Sequence, residues 1–193
     1  MIVTSPEGYS AAERCALLDI AYAAVARGVD HDAPAALRLP DFSTRLRVPR
    51  ATFVTLKRAG GLRGCIGSLE ALRPLVEDVN ANAFAAAFRD PRFPPVAAIE
   101  LDGLAVCVSV LSEPEAIAAA SELDLLDQLR PGVDGLILQA GHRRATFLPA
   151  VWESLPEPRA FLRQLKLKAG LAEDDWSSQT QVWRYAVEVI EGN

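Results

Sequence analysis

The sequence predicts an α+β fold of two lobes, in which largely antiparallel sheets are flanked by helices. Residues 51–111 and residues 135–190 each show the pattern of a hairpin, then a helix, then a strand. This repeated order indicates a degenerate internal duplication. The chain has 193 residues, of which 50% are hydrophobic and 23% charged, so it can bury a sizeable core. We therefore expect one bilobed domain over residues 10–191, preceded by an N-terminal extension over residues 1–9.

The first predicted element is a helix from about Ser10 to Arg27. Ser10 and Glu13 have the spacing of a capping box, in which each side chain binds the backbone N–H of the other residue. Gly28 suits the left-handed position that often follows a helix. Apolar residues that recur at helical spacing form the expected buried stripe, which consists of Leu17, Leu18, Ala21, Tyr22 and Val25.

The first repeat begins with a hairpin. Residues 52–57 are rich in β-branched and aromatic side chains, and two glycines separate them from a second strand over residues 62–66. Pro74 then suits the first turn of a helix. Residues 104–110 predict a strand, because large and small side chains alternate along them. The better-buried face of that strand carries Val106, Val108 and Val110.

The second repeat follows a short helix that starts at Ser121, which has a weaker capping box. Residues 135–139 and 145–148 form the predicted hairpin, and a helix over residues 158–168 comes next. Residues 182–189 predict one closing strand. One face of this strand is expected to carry Trp183, Tyr185, Val187 and Val189.

The first candidate site is the segment 60–67, which holds four glycines around one basic side chain and one thiol. Strict alternation would place Arg63 and Cys65 on one face of the strand and Leu62 and Ile66 on the other. A fixed positive charge beside a thiol favours the thiolate, which attacks electrophiles and binds metals. Cys65 is therefore a candidate nucleophile, metal ligand or redox centre, with Arg63 beside it. A packing role for this cysteine stays open, because free cysteine is often buried.

Further candidates surround this segment or lie later in the chain. Gly64 and Gly67 would let a ligand or another backbone approach closely. Arg92 lies in a loop with three prolines, so it would lose little entropy on binding a carboxylate or phosphate. His142, in the turn of the second hairpin, is a candidate general base or ligand, or else a solvated turn residue.

Composition and missing motifs argue against several functions. The net charge of −5 disfavours sequence-independent nucleic-acid binding. The chain has no GxGxxG that opens a helix and no GxxxxGK[ST], and it lacks HExxH, a CxxC pair and facial-triad spacing, so we expect no dedicated metal site. No window approaches the ~20 apolar residues that span a bilayer, and no secretion signal is recognised. We therefore expect a cytoplasmic protein with reduced thiols and no membrane partner.

Residues throughout the chain match the pattern of a known family. The matching segments are Phe53–Leu56, Leu62–Gly67, Asp90, Arg92-Phe93, Pro95-Val96, Glu100-Leu101, Val108–Leu111, Ala145–Pro149 with Val151, Phe161-Leu162, Lys168–Leu171, Trp176 and Arg184-Tyr185. They resemble the AMMECR domain family, whose prokaryotic members are called AmmeMemoRadiSam system protein A. The resemblance covers about residues 12–191. It implies a two-lobed α+β fold with the glycine-rich motif beside an interlobe cleft, and the name of the prokaryotic members implies a genomic association with a Memo-like protein and a radical S-adenosylmethionine enzyme.

Two functions follow as hypotheses. In the first, the protein is a binding component of that system and holds a small-molecule or anionic ligand, or a partner protein, beside the motif. Asp90 and Thr146, which lie in matching segments, complete the candidate ligand-binding residues. In the second, the protein is an enzyme whose Cys65 thiolate is assisted by Arg63. The family often has a second cysteine where this chain has Lys166, which disfavours a two-thiol mechanism; no cofactor is indicated.

Overall fold

The computed structural model describes residues 8–177 and 179–192 and shows an α+β fold. Two compact units divide the chain. The first, which we call the N-terminal unit, contains residues 8–111 and 188–192, and the C-terminal unit is Ser112–Val187. Residues 1–7 of the predicted extension lie outside the described residues.

The described residues form four α-helices and eight β-strands. The helices are α1 (Ala11–His31), α2 (Leu75–Phe88), α3 (Glu122–Gln128) and α4 (Pro158–Lys168). The strands are β1 (Thr52–Arg58), β2 (Gly61–Gly67), β3 (Leu104–Leu111), β4 (Glu115–Ile117), β5 (Gly135–Ala140), β6 (Arg143–Phe147), β7 (Thr180–Tyr185) and β8 (Val187–Glu191). Across these residues no helix is long and apolar enough to cross a bilayer.

Helix α1 starts as predicted and ends later than predicted. The Ser10 hydroxyl accepts the Glu13 N–H, and the Glu13 carboxylate accepts the Ser10 N–H, so the capping box is confirmed. The expected stop at Gly28 is wrong, because the helix continues to His31 and the left-handed residue is Asp32 with φ 47°. Gly28 is instead buried within the helix, where its missing side chain makes room for the Phe88 ring of α2.

One position of the predicted buried stripe is also wrong. Tyr22 is 43% exposed, and its hydroxyl donates to the Leu101 carbonyl. Ile20 is buried in its place. The phenol of a tyrosine keeps its hydrogen bond while its ring lies on the surface, whereas isoleucine has no polar group and is stabilised by full burial.

The sheet of the N-terminal unit has the order β2-β1-β3-β8, and β1 pairs antiparallel with both β2 and β3. Ala59 and Gly60 join β1 to β2, and both have positive φ, which is the signature of the type I′ turn that favours this hairpin. One face of the sheet packs on α1 and α2 and forms the core of the unit. That face carries Val54 and Leu56 of β1, with Val108 and Val106 of β3 opposite them.

A buried polar network holds α2 against β1. Asp78 is fully buried, and its carboxylate accepts hydrogen bonds from the Thr52 N–H and hydroxyl, from the Asn82 amide and from the Arg73 guanidinium. A buried carboxylate is stable only when its oxygens are paired in this way. The network therefore fixes the position of the helix on which the candidate site packs.

The sheet of the C-terminal unit has the order β4-β7-β5-β6 with antiparallel pairing throughout. Its core lies against α4, where Phe161 stacks on Trp152 with ring centroids 3.8 Å apart. In both units the first hairpin strand lies between its hairpin partner and the strand that follows the helix, in the orders β2-β1-β3 and β6-β5-β7. This equivalence agrees with the duplication hypothesis, which remains a prediction.

The single closing strand predicted over residues 182–189 is wrong. The segment forms two strands, β7 and β8, which belong to different sheets. Ala186 separates them, and its carbonyl and N–H bind the backbone N–H and the hydroxyl of Ser112. Alternation therefore cannot continue through the segment, and the buried side chains of β7 and β8 are Val182, Tyr185 and Ile190.

We predict that Gly28→Ala destabilises the protein by about 1–3 kcal/mol, because the added methyl group would overpack the α1–α2 contact. A Cβ at this position would lie 2.3 Å from the Phe88 ring. In an exposed helix the same change stabilises by about 1 kcal/mol. Urea denaturation measures the difference. The control is Ala23→Gly at an exposed position of the same helix, which should cost about 1 kcal/mol; stabilisation by Gly28→Ala would contradict the packing argument.

Candidate functional site

A β-bulge at Arg63 sets which way the side chains of β2 point. Lys57 pairs with Leu62 and Leu56 pairs with Gly64, so Arg63 is an extra residue in β2. One extra residue reverses the alternation beyond it. Leu62, opposite Lys57, therefore lies on the outer face of the sheet, whereas Ile66, opposite the buried Val54, lies on the core face. The prediction that Leu62 and Ile66 share a face is wrong for this reason.

The glycines of the motif are explained by packing inside the N-terminal unit. A Cβ on Gly64 would lie 2.1 Å from the Ala86 carbonyl oxygen of α2. A Cβ on Gly67 would lie 2.4 Å from the Phe53 ring and 2.3 Å from the Thr52 carbonyl oxygen. The space that both glycines leave is thus occupied by this chain's own atoms. Their predicted role as ligand-binding residues stays a prediction.

Cys65 lies on the outer face of the sheet in a row with Thr55 and Cys107, which we call the thiol face. Thr55 of β1 pairs with Cys65 on one side and with Cys107 on the other. The Thr55 hydroxyl donates to the sulfur of Cys65 over 3.2 Å. Adjacent strands lie about 4.8 Å apart, so the two cysteines are about 10 Å apart and too far for a disulfide. Both are free thiols.

The two thiols differ in environment. Burial, together with the nearby Glu191 carboxylate, raises the pKa of the Cys107 thiol to about 11. Cys107 therefore stays protonated at neutral pH and is buried. Cys65 is half-buried, and within the described residues its sulfur has Thr55 as its hydrogen-bond partner. Cys65 is accordingly the accessible thiol of this face.

A small open groove adjoins Cys107. Its volume is about 140 Å³, and its lining includes Lys57 and Glu191, which form an ion pair with atoms 3.4 Å apart. Pockets for drug-sized ligands are about 300–1,000 Å³, so this groove is too small for a nucleotide-sized cofactor. No three His, Cys, Asp or Glu side chains in residues 8–177 and 179–192 come together as metal ligands. The lining residues are Lys57, Ala105, Val106, Cys107, Glu191 and Gly192.

Asp90 and Arg92 together cover the open edge of β2, and we call this pair the clasp. The Cys65 N–H donates to Asp90 Oδ2 over 2.9 Å, and Arg92 Nη2 donates to the Cys65 carbonyl over 3.2 Å. Arg92 also donates from Nε and Nη2 to the two Asp90 oxygens, over 2.9 and 2.7 Å. The clasp occupies the backbone groups that an additional strand would otherwise bind. It therefore pins the backbone directly behind the thiol.

The electrostatics of the clasp follow from this geometry. The Arg92 guanidinium, helped by the Cys65 N–H, holds the pKa of the Asp90 carboxyl well below its usual range. Asp90 in turn raises the pKa of Arg92, with a smaller contribution from Cys65. Asp90 is thus a fixed anion and is unsuited to accept a proton at neutral pH. Arg92 is the cation whose charge interacts with the thiol.

Arg63 binds elsewhere. Its Nε and Nη2 donate to the two carboxylate oxygens of Glu100 over 2.8 and 2.9 Å, and Nη2 also reaches the Pro95 carbonyl. Arg63 therefore anchors the loop that follows α2 to the edge strand. The pair lowers the pKa of Glu100 to about 2 and raises that of Arg63. Glu100 is not among the site residues predicted from the sequence. A half-buried arginine needs a carboxylate partner, and this requirement is the signal that could have identified it.

The remaining predicted site residues lie in the C-terminal unit. His142 is exposed in the β5–β6 turn. Thr146 donates its hydroxyl to the Leu136 carbonyl over 2.7 Å and lies 2.9 Å from the Tyr185 hydroxyl, so its polar group is used within the unit. The structure thus brings Arg63, Gly64, Cys65, Gly67, Asp90 and Arg92 together on β2 and the loop beside it, and it places His142 and Thr146 on the other unit.

Lys166, at the position where the family that the sequence resembles often has a second cysteine, is fully buried in the C-terminal unit. Its ammonium group donates to Glu122 Oε2 over 2.5 Å and to the Glu173 carbonyl over 3.0 Å. The side chain therefore ties α3 and the loop after α4 to the helix that carries it. Its observed contacts are those of a structural ion pair.

Comparison with known proteins identifies similar chains. The sequence profile of the AMMECR1 family matches residues 18–190. A protein of Methanothermobacter thermautotrophicus is 41% identical over 161 residues, which cover 80% of this chain and 82% of that protein. A Thermotoga maritima protein is 44% identical over 138 residues, covering 70% of this chain and 74% of its own length. The crystal structure of the uncharacterized protein PH0010 from Pyrococcus horikoshii is similar with a TM-score of 0.81 and 34% identity, covering 92% of this chain and 90% of that one.

We predict that Gly64→Ala destabilises the protein by about 1–3 kcal/mol, because the new methyl group would collide with the Ala86 carbonyl. Gly61→Ala is the matched control on the same strand, since the contact its Cβ would make, 3.6 Å to the Arg58 carbonyl oxygen, is ordinary. Chemical denaturation of both variants measures the difference. Equal stability of the two variants would show that β2 can move away from α2 without cost.

The Arg63–Glu100 pair predicts a specific pH dependence of stability. Folding lowers the pKa of Glu100 from 4.5 to about 2, so the stabilisation is complete above pH 4.5 and is lost as the pH falls towards 2. Glu100→Gln should reduce the free energy of unfolding at neutral pH, and the difference from the wild-type protein should shrink over that acid range. Denaturant titrations at several pH values test this. The exposed Glu153→Gln is the control and should parallel the wild-type protein; a constant deficit for Glu100→Gln would refute the linkage.

Proposed function

The chain belongs to the AMMECR1 family, and on this basis we propose that it is a binding protein that holds a ligand or a partner protein against β2 and the clasp. The observation that carries the proposal is the setting of Cys65. Its backbone is pinned by Asp90 and Arg92, and the residue is half-buried with its side chain on the outer face of the sheet. A rigid surface of this kind favours recognition, since little conformational entropy is lost on binding.

The contacts around the thiol favour binding over proton transfer. Within the described residues, the hydrogen-bond partners of Cys65 outside its own strand are the Thr55 hydroxyl and the clasp. The Asp90 carboxylate is neutralised by Arg92 and cannot act as a general base near neutral pH. The exposed part of Arg92 would attract an anionic ligand or an acidic side chain of a partner.

The proposed partners are a Memo-like protein and a radical S-adenosylmethionine enzyme. They are supported by the resemblance of the motif to AmmeMemoRadiSam system protein A. A cytoplasmic location is part of the same proposal, in keeping with three free cysteines. Neither nucleic acid nor a membrane is proposed as a partner, because the net charge of −5 disfavours phosphate binding and no membrane-spanning segment is predicted.

A second candidate function is an enzyme that uses Cys65 as a thiolate nucleophile. It is favoured by the hydrogen bond that Thr55 donates to the sulfur and by the positive charge of Arg92. The sequence suggested Arg63 as the assisting cation. The contacts favour Arg92 in that role, because its guanidinium donates to the Cys65 carbonyl, whereas Arg63 is bound to Glu100 and Pro95.

Selective alkylation separates the two functions. In a Cys15→Ser background, N-ethylmaleimide should modify Cys65 and spare Cys107, whose pKa is raised to about 11 and which is buried. We expect the bulky adduct to abolish binding to the purified Memo-like protein or radical S-adenosylmethionine enzyme in titration calorimetry. Cys65→Ser should keep the affinity within about threefold, since the serine preserves the surface.

The control is Cys65→Ser treated with N-ethylmaleimide, which should bind like the untreated variant. If the adduct leaves binding unchanged, the site is not on the thiol face. If Cys65→Ser loses function while its melting temperature stays the same, the sulfur itself is required and the enzyme is the better explanation.

A further inference from the structure

The loop between Asp90 and Glu100 exposes apolar side chains that contact little of their own unit. Ile99 is 82% exposed, which is unusual for a large aliphatic side chain. Residues 91–99 contain one charged residue, Arg92. Exposed apolar residues concentrated in one short segment are typical of a protein–protein interaction site. The exposed apolar residues are Pro91, Pro94, Pro95, Ala97, Ala98 and Ile99.

The loop is held in one conformation from within. Val96 is buried, and its N–H donates to the Ala87 carbonyl of α2 over 3.0 Å. Glu100 accepts the Ala97 N–H over 2.9 Å, and Arg63 donates to the Pro95 carbonyl. Three prolines limit the backbone further. The apolar surface is therefore ordered before any partner binds, which lowers the entropic cost of association.

Arg92 gives this surface its charge and indicates the occupant. Its guanidinium lies over the Phe93 ring, 5.5 Å from the centroid, and its side chain is 53% exposed. Nε and Nη2 bind Asp90, whereas Nη1 has no hydrogen-bond partner within the described part of the chain. Arginine and aromatic residues are enriched in interface centres, where lysine and glutamate are depleted. A carboxylate on the partner would accept a hydrogen bond from Nη1 of Arg92 and pair with its charge.

Other occupants fit less well. A symmetric contact with a second copy of this chain would bring two Arg92 guanidinium groups into one small apolar patch, and like charges repel there. Nucleic acid and anionic lipid surfaces are bound by clusters of cations, and this loop offers one. A different protein with an apolar surface and an acidic side chain would bury the exposed apolar residues and pair with the charge of Arg92.

We propose that residues 91–99 form the docking surface for a partner protein that presents an apolar patch around a carboxylate, which pairs with Arg92. This inference rests on the proposed function and names the chemistry of its partner. Ile99 is the apolar anchor, since it is the most exposed large side chain of the loop. Arg92 thus has two roles, because it closes the clasp behind Cys65 and offers Nη1 to the partner.

The test compares Ile99→Asp with Ile99→Lys in the full chain, with the purified Memo-like protein and the purified radical S-adenosylmethionine enzyme as calorimetric probes. Leu72→Asp is the matched control, since Leu72 is 78% exposed in the same unit but outside the loop. We expect Ile99→Asp to weaken binding at least about tenfold, Ile99→Lys to weaken it less, and Leu72→Asp to have no effect. The melting temperatures of all three variants should match that of the wild-type protein. If Ile99→Asp fails to fold, Ala98→Asp replaces it in the same comparison.

Three results overturn the inference while the proposed function stands. They are binding by Ile99→Asp equal to that of Leu72→Asp, stronger binding by Ile99→Asp than by Ile99→Lys, and a wild-type dimer in sedimentation that Ile99→Asp dissociates. If the wild-type protein binds neither probe, the proposed partners and this docking surface are overturned together.

Discussion

The close approach of β2 to α2 is the constraint on which the candidate site depends. At Gly64 the strand lies so near the Ala86 carbonyl that no side chain fits between them. The helix cannot yield, because the buried Asp78 carboxylate fixes α2 to Thr52 of β1. The bulge at Arg63 lies directly before this contact, so it determines that Cys65 emerges on the outer face. The glycine-rich motif is thus required first for packing against α2. Its consequence for chemistry is that the Cys65 thiol points to the outer face of the sheet.

The charged side chains of the site mainly bind one another and backbone groups of β2 and the adjacent loop. Asp90 and Arg92 bind the N–H and carbonyl of Cys65, and Arg63 with Glu100 binds the loop that carries the clasp. Asp90 is almost fully buried and Arg63 largely so, which strengthens pairing relative to water but requires that each charge keep its partner. The result is a rigid frame around a thiol that has few titratable neighbours. Such a frame suits recognition better than proton transfer, which is why we favour a binding function.

Local signals in the sequence were sufficient for most elements of the fold. The Ser10 capping box, the β1–β2 hairpin and the β5–β6 hairpin depend on residues close together in the chain, and the structure confirms them. Gly28 and the segment 182–189 were mispredicted for a shared reason. The aromatic rings of α2 pack against Gly28 within α1, and Ser112 binds Ala186 between β7 and β8. Both are contacts with distant residues, which no local pattern contains.

At the site, residue identities and local patterns are enough to predict a thiol at Cys65, the charges of Asp90 and Arg92, and a hairpin that carries the motif. They also suffice to indicate the family. Which of these groups meet depends on the folded chain. It paired Arg63 with Glu100, 37 residues away, and gave the place beside the thiol to Arg92. The physical reason is that a bulge and a close helix contact reorient side chains by packing, whereas strand alternation read from sequence assumes an undistorted strand.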